Sequence, residues 1–315
     1  MSFRYVNPGY VYLLDSNVTA TQITDSTYSR TGVAFTQTNS SAGVTIPQFK
    51  QGYDFWAKFD VYIPSGENTG FYCQIPNHSS ARLFISIDGN SIYESFFYFA
   101  YASANYNTKT FARGNDEKLG LKRNTVNTFV LHVVYGDSDT AKAELFFNGA
   151  KYEKINEEII YSASQPKIVK IYAYTTGNKF SNIIFSDTEI SPKEQVIALP
   201  ISATATDMTA GAGGMYTATA AGQTLLQTPD ITTLAQQFSG ESKITGIQVV
   251  GNPAYKASTG LETMVGLSKS GNVTTEHGNY TLGTDSTALV MDGWGLSGVT
   301  LDDLSNMQFG WKVAD

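Results

Sequence analysis

Strict alternation of side chains is the feature that most limits what this chain can fold into. From residue 53 to residue 63 every second residue is apolar, which forms one face from Phe55, Ala57, Phe59, Val61 and Ile63. This period of two is that of a β-strand. The other face carries Trp56, Lys58, Asp60 and Tyr62. The segment is therefore predicted to be a half-buried strand.

Further strands and tight turns follow this one, with almost no helical period in the first 190 residues. Strands are predicted over residues 82–87, 92–101, 129–135, 141–147, 150–155, 168–174 and 180–186. Asn148-Gly149, between two of them, is the dipeptide typical of a type I′ hairpin turn. Short strands separated by turns favour an antiparallel sandwich over an α/β fold, and a jelly roll fits the size.

A change of composition predicts a domain boundary near residue 198. Residues 1–197 are assigned to a jelly-roll domain and residues 198–315 to a smaller sandwich with one short helix near 229–238. Thr228 is the expected N-cap of that helix and Pro229 its first residue. Residues 300–304 resemble a single capped turn before the last strand. The fold class is thus all-β, with two antiparallel β-sandwich domains.

Charge argues against nucleic acid as a partner. The chain has 21 basic and 28 acidic residues, a net charge of -7 and only 16% charged residues, against roughly 25% in an average protein. Phosphate binding needs clustered Lys and Arg. Residues 197–315 hold 4 basic and 10 acidic residues, so the second domain is the more acidic one. A surface so poor in charge favours contact with neighbours in an assembly or with a neutral glycan.

Cysteine usage and hydropathy bear on where the chain is made. A single cysteine, Cys73, excludes an intramolecular disulfide and is expected to be a buried thiol. The first residues lack the apolar core of a signal peptide, and no run approaches the roughly 18 residues of a membrane span. We expect synthesis in a bacterial cytoplasm without a signal peptide and no insertion into a membrane.

No catalytic constellation stands out. The histidines His78, His132 and His277 are far apart in sequence, so no metal motif can be drawn. His132 is predicted to be a hydrogen-bonded strand residue, and the other two to lie solvated in polar loops. Asp137 and Asp139 are weak calcium candidates in a loop, and no pair of carboxylates has the setting of a glycosidase. Catalytic residues are therefore not expected, and calcium at Asp137 and Asp139 is the one cofactor that stays open.

Aromatic residues are the remaining candidates for a binding site. The segment 92–107 is crowded with them, and alternation cannot bury all of them on one face. The candidate binding residues are Tyr93, Tyr98, Tyr101 and Tyr106. Three interpretations stay open, namely packing in the core, contact with a partner or a second subunit, and stacking on a sugar.

Two resemblances complete the sequence analysis. The segments 143–149, ending in Asn-Gly, and 180–187 resemble the concanavalin A-like (laminin-G-like) jelly roll. The segments 4–10, 181–184, 222–230 and 294–311 together resemble tail- or particle-associated proteins of phages and prophages of gut bacteria.

These resemblances imply a setting and not a set of site residues. They imply a non-enzymatic structural or adhesion protein on a virion surface, self-associated or in contact with other virion proteins, whose first domain binds a cell-surface glycan. The sugar and calcium residues of lectins have no counterpart here. The alternative is a free carbohydrate-binding lectin or glycoside hydrolase of the same fold.

Overall fold

A computed structural model describes the two compact units of the chain over most of their strands. The described residues are 4–8, 20–25, 30–35, 40–45, 54–64, 69–74, 82–87, 95–102, 108–111, 122–135, 140–152, 158–160, 168–173, 178–256, 260–285, 287–291 and 293–314. The first unit comprises Val6–Val196, and the second Ile197–Asp315 with Phe3–Tyr5. Two independent domains with a boundary at residues 197 and 198 stay a prediction.

The described secondary structure is mostly antiparallel strand with two short α-helices, so the predicted all-β sandwich class is confirmed. The earlier strands are β1 (Arg4–Asn7), β2 (Ala20–Asp25), β3 (Arg30–Phe35), β4 (Ser40–Thr45), β5 (Asp54–Ile63), β6 (Thr69–Gln74), β7 (Arg82–Ile87), β8 (Ser95–Ala102), β9 (Thr108–Phe111), β10 (Thr125–Tyr135), β11 (Thr140–Phe147), β12 (Ala150–Tyr152), β13 (Glu158–Ile160), β14 (Ile168–Ala173) and β15 (Lys179–Ser186). The later elements are β16 (Ile201–Thr206), β17 (Thr209–Ala210), β18 (Tyr216–Thr217), β19 (Thr224–Pro229), α1 (Thr232–Gln237), β20 (Lys243–Ile247), β21 (Val250–Ala254), β22 (Thr263–Ser270), β23 (Val273–Thr281), β24 (Thr287–Val290), β25 (Trp294–Thr300), α2 (Leu301–Leu304) and β26 (Met307–Val313).

The larger sheet of the first unit carries a densely buried core among the described residues. Its strands run in the order β12, β11, β10, β5, β15, β3 and β2, and β13 also pairs with β11. Large aromatic residues of β5, β10 and β15 are fully buried on one face, among them Phe55, Phe59, Phe129 and Phe185. Their rings contact across neighbouring strands, with centroids 5.6 Å apart for Phe59 and Phe129.

The prediction that β5 is buried on one face only is wrong. Trp56 is 8% exposed, Lys58 1% and Asp60 2%, so the face expected to meet solvent is covered as well. Trp56 packs with Val130, Ile184 and Ile190, and Val196 lies against the same cluster. The chain that follows β15 therefore covers this outer face, a tertiary contact that alternation within β5 does not encode.

The hairpin predicted from Asn148-Gly149 is confirmed. Phe147 at the end of β11 lies opposite Ala150 at the start of β12, which leaves two residues in the turn. Asn148 has φ 46° and Gly149 φ 86°, the two positive values that a type I′ turn requires.

A smaller sheet completes the first unit. Its strands run in the order β4, β14, β6, β7, β8 and β9, and every neighbouring pair is antiparallel. The registers of all these pairs run without a shift. Because the register is uninterrupted, residues that lie opposite each other in neighbouring strands share a face, and every second residue along a strand returns to that face.

The second unit is built around a sheet in the order β16, β19, β26, β22 and β23. Three further strand pairs accompany it, β17 with β18, β20 with β25, and β21 with β24. A cluster of buried apolar side chains forms its core, made of Leu234, Met291, Trp294, Leu301, Leu304, Phe309 and Trp311. The predicted capped turn is confirmed as α2, where Thr300 and Asp303 form a capping box.

The predicted start of the short helix is wrong. Thr228 and Pro229 end strand β19, and α1 begins only at Thr232. Pro229 lies opposite Ile201 in the sheet, and the side chain of Asp230 accepts a hydrogen bond from the backbone N–H of Thr232 at 2.9 Å. Pairing with β16 thus extends the strand through residues whose local signals favour a helix.

Candidate functional site

One face of the smaller sheet includes a buried residue, Ile171. Ile171, in the middle of β14, is only 3% exposed. Cys73 lies opposite Ile171, Leu83 opposite Cys73, and Phe99 opposite Leu83. These residues share one face of the sheet. Cys73 is thus placed on the same face as a buried residue, and its burial stays a prediction.

The opposite face carries a row of aromatic residues. One residue further along β14, Tyr172 lies opposite Tyr72 of β6, Tyr72 opposite Phe84 of β7, and Phe84 opposite Tyr98 of β8. Four consecutive strands therefore each place an aromatic residue at one level, a span of about 14 Å at the usual strand spacing of about 4.8 Å. We call Tyr172, Tyr72, Phe84 and Tyr98 the aromatic row.

The structure places one of the four candidate tyrosines in this row. Tyr98 belongs to it, whereas Tyr101 lies three residues further along β8, opposite Lys109 of β9. Residues three apart in a strand lie on opposite faces, so Tyr98 and Tyr101 do not share a surface. Tyr93 and Tyr106, like the calcium candidates Asp137 and Asp139, lie outside the described residues. The binding assignments stay predictions.

Three members of the aromatic row escaped sequence reasoning. Tyr172, Tyr72 and Phe84 lie in three strands far apart in sequence, and only the register between these strands brings them to one level. Alternation within a strand predicts which of its residues share a face, but it does not predict which residues of the neighbouring strands lie opposite them. The signal that could have found them is the presence of at least one aromatic residue in each of the four strands β14, β6, β7 and β8.

A second group of residues, all of them polar, lies on the covered face of the larger sheet. The carboxylate of Asp60 accepts hydrogen bonds from Thr128 Oγ1 at 2.6 Å and from Asn182 Nδ2 at 3.0 Å. Asn182 Oδ1 accepts from the backbone N–H of Val196 at 2.7 Å. The ammonium of Lys58 donates to the carbonyl oxygen of Glu194. Buried polar groups require partners, and these partners attach the chain after β15 to the sheet.

Asn182 can play this part because of its backbone. Its φ is 52°, and it lies where the register between β15 and β5 shifts, between Ser181 and Ile184. Asn tolerates this left-handed region better than most residues. The bulge gives its amide access to both Asp60 and the following segment, which indicates a structural function for this group.

His132 lies in a third group, at the rim of the same covered face. Its Nδ1 is 3.0 Å from Glu144 Oε2, and its ring stacks on Trp56 with centroids 3.9 Å apart. The prediction of a hydrogen-bonded strand histidine is confirmed. Hydrogen bonds from Lys151 and from His132 lower the pKa of Glu144 below its ordinary value. A carboxylate held in its charged form is poorly suited to act as a general acid.

The prediction that His277 is a solvated loop residue is wrong. His277 lies in strand β23 and is half-buried. Its Nε2 is 2.6 Å from Ser268 Oγ, and its ring stacks on Trp294 with centroids 4.0 Å apart. Burial lowers the pKa of His277 below its ordinary value. Its strand and the tryptophan come together only through tertiary pairing, which explains why a polar local sequence was misleading. His78 lies outside the described residues.

Within the described ranges, no group of three or more His, Cys, Asp or Glu residues is arranged to hold a metal ion. Over the same part of the chain, no helix combines the length and the apolar character needed to cross a membrane.

Comparisons with known proteins describe what this chain is similar to. No family model and no curated protein matches the sequence. Among solved structures, an endo-β-1,4-glucuronan lyase from the fungus Trichoderma reesei has 12% identity and a TM-score of 0.40, covering 60% of this chain and 98% of that chain. The CBM2 module of the evolved Dit protein of Lactobacillus casei BL23 phage J-1 has 15% identity and a TM-score of 0.35, covering 59% and 91%. Domain 4 of an extracellular arabinanase from Geobacillus stearothermophilus, bound to arabinotriose, has 10% identity and a TM-score of 0.33, covering 60% and 84%.

Proposed function

We propose that the chain is a non-enzymatic glycan-binding protein of a phage or prophage particle, and that the aromatic row of its first unit binds the glycan. The observation that carries this proposal is the register that brings Tyr172, Tyr72, Phe84 and Tyr98 to one level. Tyrosine combines a flat apolar ring with a polar hydroxyl, and so suits a ligand that is apolar on its faces and polar at its edges. A sugar ring is such a ligand.

The covered state of the other sheet supports this choice of surface. Over β5 and β15, the larger sheet is buried on its core face and also on its outer face, where the chain after β15 packs. The smaller sheet has the Ile171 face for its core contacts. We place the ligand on the opposite face of the smaller sheet, the one that carries the aromatic row.

The absence of catalysis is part of the proposal. In the described part of the chain, the most deeply buried carboxylate, that of Asp60, is engaged by Thr128 and Asn182. The pKa of Glu144 is lowered by its hydrogen bonds, the reverse of what a general acid needs. We expect no release of reducing ends and no unsaturated products when the protein is incubated with polysaccharides.

Affinity electrophoresis tests the binding surface. The full chain is run through gels that contain polysaccharides, together with the variants Tyr98→Ala and Tyr172→Ala. Loss of one stacked ring costs about 1 kcal/mol, so we expect each variant to lose roughly five- to tenfold in affinity. The matched control is Tyr255→Ala, which removes a tyrosine of the second unit that is 50% exposed.

Either of two results contradicts the proposal. Folded Tyr98→Ala and Tyr172→Ala proteins that bind as tightly as the parent exclude the aromatic row. Turnover of a polysaccharide excludes the non-enzymatic assignment. The particle assignment has its own measurement, detection of the protein by antibody in phage particles purified from the bacterium that carries the gene, and its absence from them removes that part of the proposal.

A further inference from the structure

We propose that the glycan is acidic, with anionic groups that Arg82 and Lys170 bind beside the aromatic row. This inference rests on the proposed function and adds the chemical class of the ligand. Lys170 of β14 lies opposite Gln74 of β6, and Gln74 lies opposite Arg82 of β7. Three neighbouring strands thus place two cationic residues and an amide at one level.

This polar level lies on the same face as the aromatic row. Lys170 precedes Tyr172 by two residues in β14, and Arg82 precedes Phe84 by two residues in β7. Residues two apart in a strand share a face and lie about 7 Å apart along it. A ligand bound along the aromatic row would therefore have two cationic positions of the sheet at the distance of a substituent on a sugar ring.

The charge of the whole sheet is consistent with an anionic ligand. The six strands of the smaller sheet contain Arg82, Lys109 and Lys170 and not one Asp or Glu, although the chain has 28 acidic residues. The larger sheet is different, because its strands contain five acidic residues, Asp25, Asp54, Asp60, Glu144 and Glu158. A general scarcity of acidic residues in strands does not explain this contrast.

Arginine and lysine have separate roles in such a site. The guanidinium of arginine presents a planar fork that matches a carboxylate in two parallel hydrogen bonds, whereas lysine acts as a compact point charge. Gln74, between Lys170 and Arg82, can donate to and accept from sugar hydroxyls. The level thus combines the groups that recognise an acidic sugar, one whose ring carries a carboxylate or a sulfate.

Single-stranded nucleic acid also combines flat rings with anions. The net charge of -7 works against the long-range attraction on which nucleic-acid binding depends. We therefore assign the face to a polysaccharide, and we include an oligonucleotide in the test so that the other ligand has a visible outcome.

The test compares binding of the full chain to three kinds of polysaccharide and two other anions by affinity electrophoresis and titration calorimetry. The carboxylated probes are alginate, polygalacturonate and hyaluronate, the sulfated probe is dextran sulfate, and the neutral probes are dextran, galactan and arabinan. Oligo-dT and polyglutamate serve as anions without a sugar chain of this kind. The variants are Arg82→Gln/Lys170→Gln and the matched control Lys122→Gln/Lys193→Gln, which removes two exposed positive charges of the first unit outside this sheet.

We expect binding to at least one carboxylated or sulfated polysaccharide, at least a tenfold loss of affinity in Arg82→Gln/Lys170→Gln, and little change in the control. Comparison of the carboxylated and sulfated probes shows which anion is recognised. Binding by the unmodified chain is expected to weaken as salt rises from about 50 to about 500 mM, because the screening length shortens several-fold over this range. The salt titration uses only the unmodified chain, so it tests the inference even if the double variant fails to fold.

The outcomes separate this inference from the proposed function. Binding to neutral polysaccharides that is insensitive to salt and to the double variant overturns the acidic ligand and leaves glycan binding in place. Binding to no polysaccharide overturns both. Equal binding to polyglutamate or tighter binding to oligo-dT overturns the assignment to a polysaccharide.

Discussion

Replacing Asn182 with alanine tests whether the buried polar group holds the chain after β15 against the larger sheet. The variant loses the hydrogen bond to the carboxylate of Asp60, 3.0 Å long, and the one from the N–H of Val196, 2.7 Å long. A bond to a charged group is worth about 2 kcal/mol and a neutral one about 1 kcal/mol. Alanine at φ 52° adds about 1 kcal/mol of backbone strain. Together these changes lower the free energy of unfolding by about 4 kcal/mol.

Urea unfolding followed by tryptophan fluorescence measures this loss. Trp56 reports on the affected region, because it packs with Ile190 and lies in the cluster that Val196 joins. The matched control is Asn124→Ala, since Asn124 is exposed and has φ 53°, so that its replacement imposes the same backbone strain. We expect a loss of about 1 kcal/mol in the control. A loss in Asn182→Ala no larger than in Asn124→Ala would refute the structural function assigned to this group.

Two further predictions concern the second unit. Because burial lowers the pKa of His277, the unfolded chain binds the proton more tightly than the folded chain. The free energy of unfolding should therefore fall as pH drops below the unfolded pKa of 6.5 and level off below the folded pKa. Urea unfolding from pH 8 to pH 5 measures this, and the same dependence of the free energy of unfolding on pH in His277→Gln would contradict the assignment. Gly310→Ala should destabilise by about 3 kcal/mol or more, because a Cβ there would lie 1.8 Å from the carbonyl oxygen of Leu225 in the neighbouring strand. Thermal unfolding checks this against Gly260→Ala, where a Cβ meets no described atom within 4 Å, and equal melting temperatures would show that β19 and β26 are not packed so closely.

Local signals in the sequence predict the elements whose stability is local. The alternation of β5, the Asn148-Gly149 turn and the capping box at Thr300 each depend on residues close together in the chain, and the structure confirms all three elements. The backbone preferences of Asn and Gly and the hydrogen bonds of a cap act within a few residues. They therefore appear in the sequence without knowledge of the tertiary structure.

Elements that depend on distant partners were missed or misjudged. Strands β2, β4 and β16 are rich in Ala, Ser, Thr and Gly and lack a large apolar alternation, so nothing local marks them. The second buried face of β5 depends on a segment more than a hundred residues away that covers it. Pairing of Pro229 with Ile201 moves the start of α1. In each case a long-range contact outweighs the local preference.

In the candidate site, too, local sequence predicts some of the residues, whereas their arrangement depends on distant partners. Crowding of aromatic residues near β8 led to Tyr98, but it also led to Tyr101, which the register places on the other face. Tyr72 and Tyr172 become partners of Tyr98 only through the register of three strand pairs. Register is set by the whole sheet and its turns, so a single sequence identifies the types of residue in the site more readily than their arrangement.

Hydroxyl-radical footprinting tests the central claim most directly, because it reads out the aromatic row in the unmodified protein. The full chain is labelled with and without a polysaccharide that it binds, and oxidation of individual residues is measured by mass spectrometry. We predict protection of Tyr172, Tyr72, Phe84 and Tyr98 and unchanged labelling of the exposed Tyr255. Protection elsewhere, with the four aromatic residues labelled equally in both samples, would contradict the account.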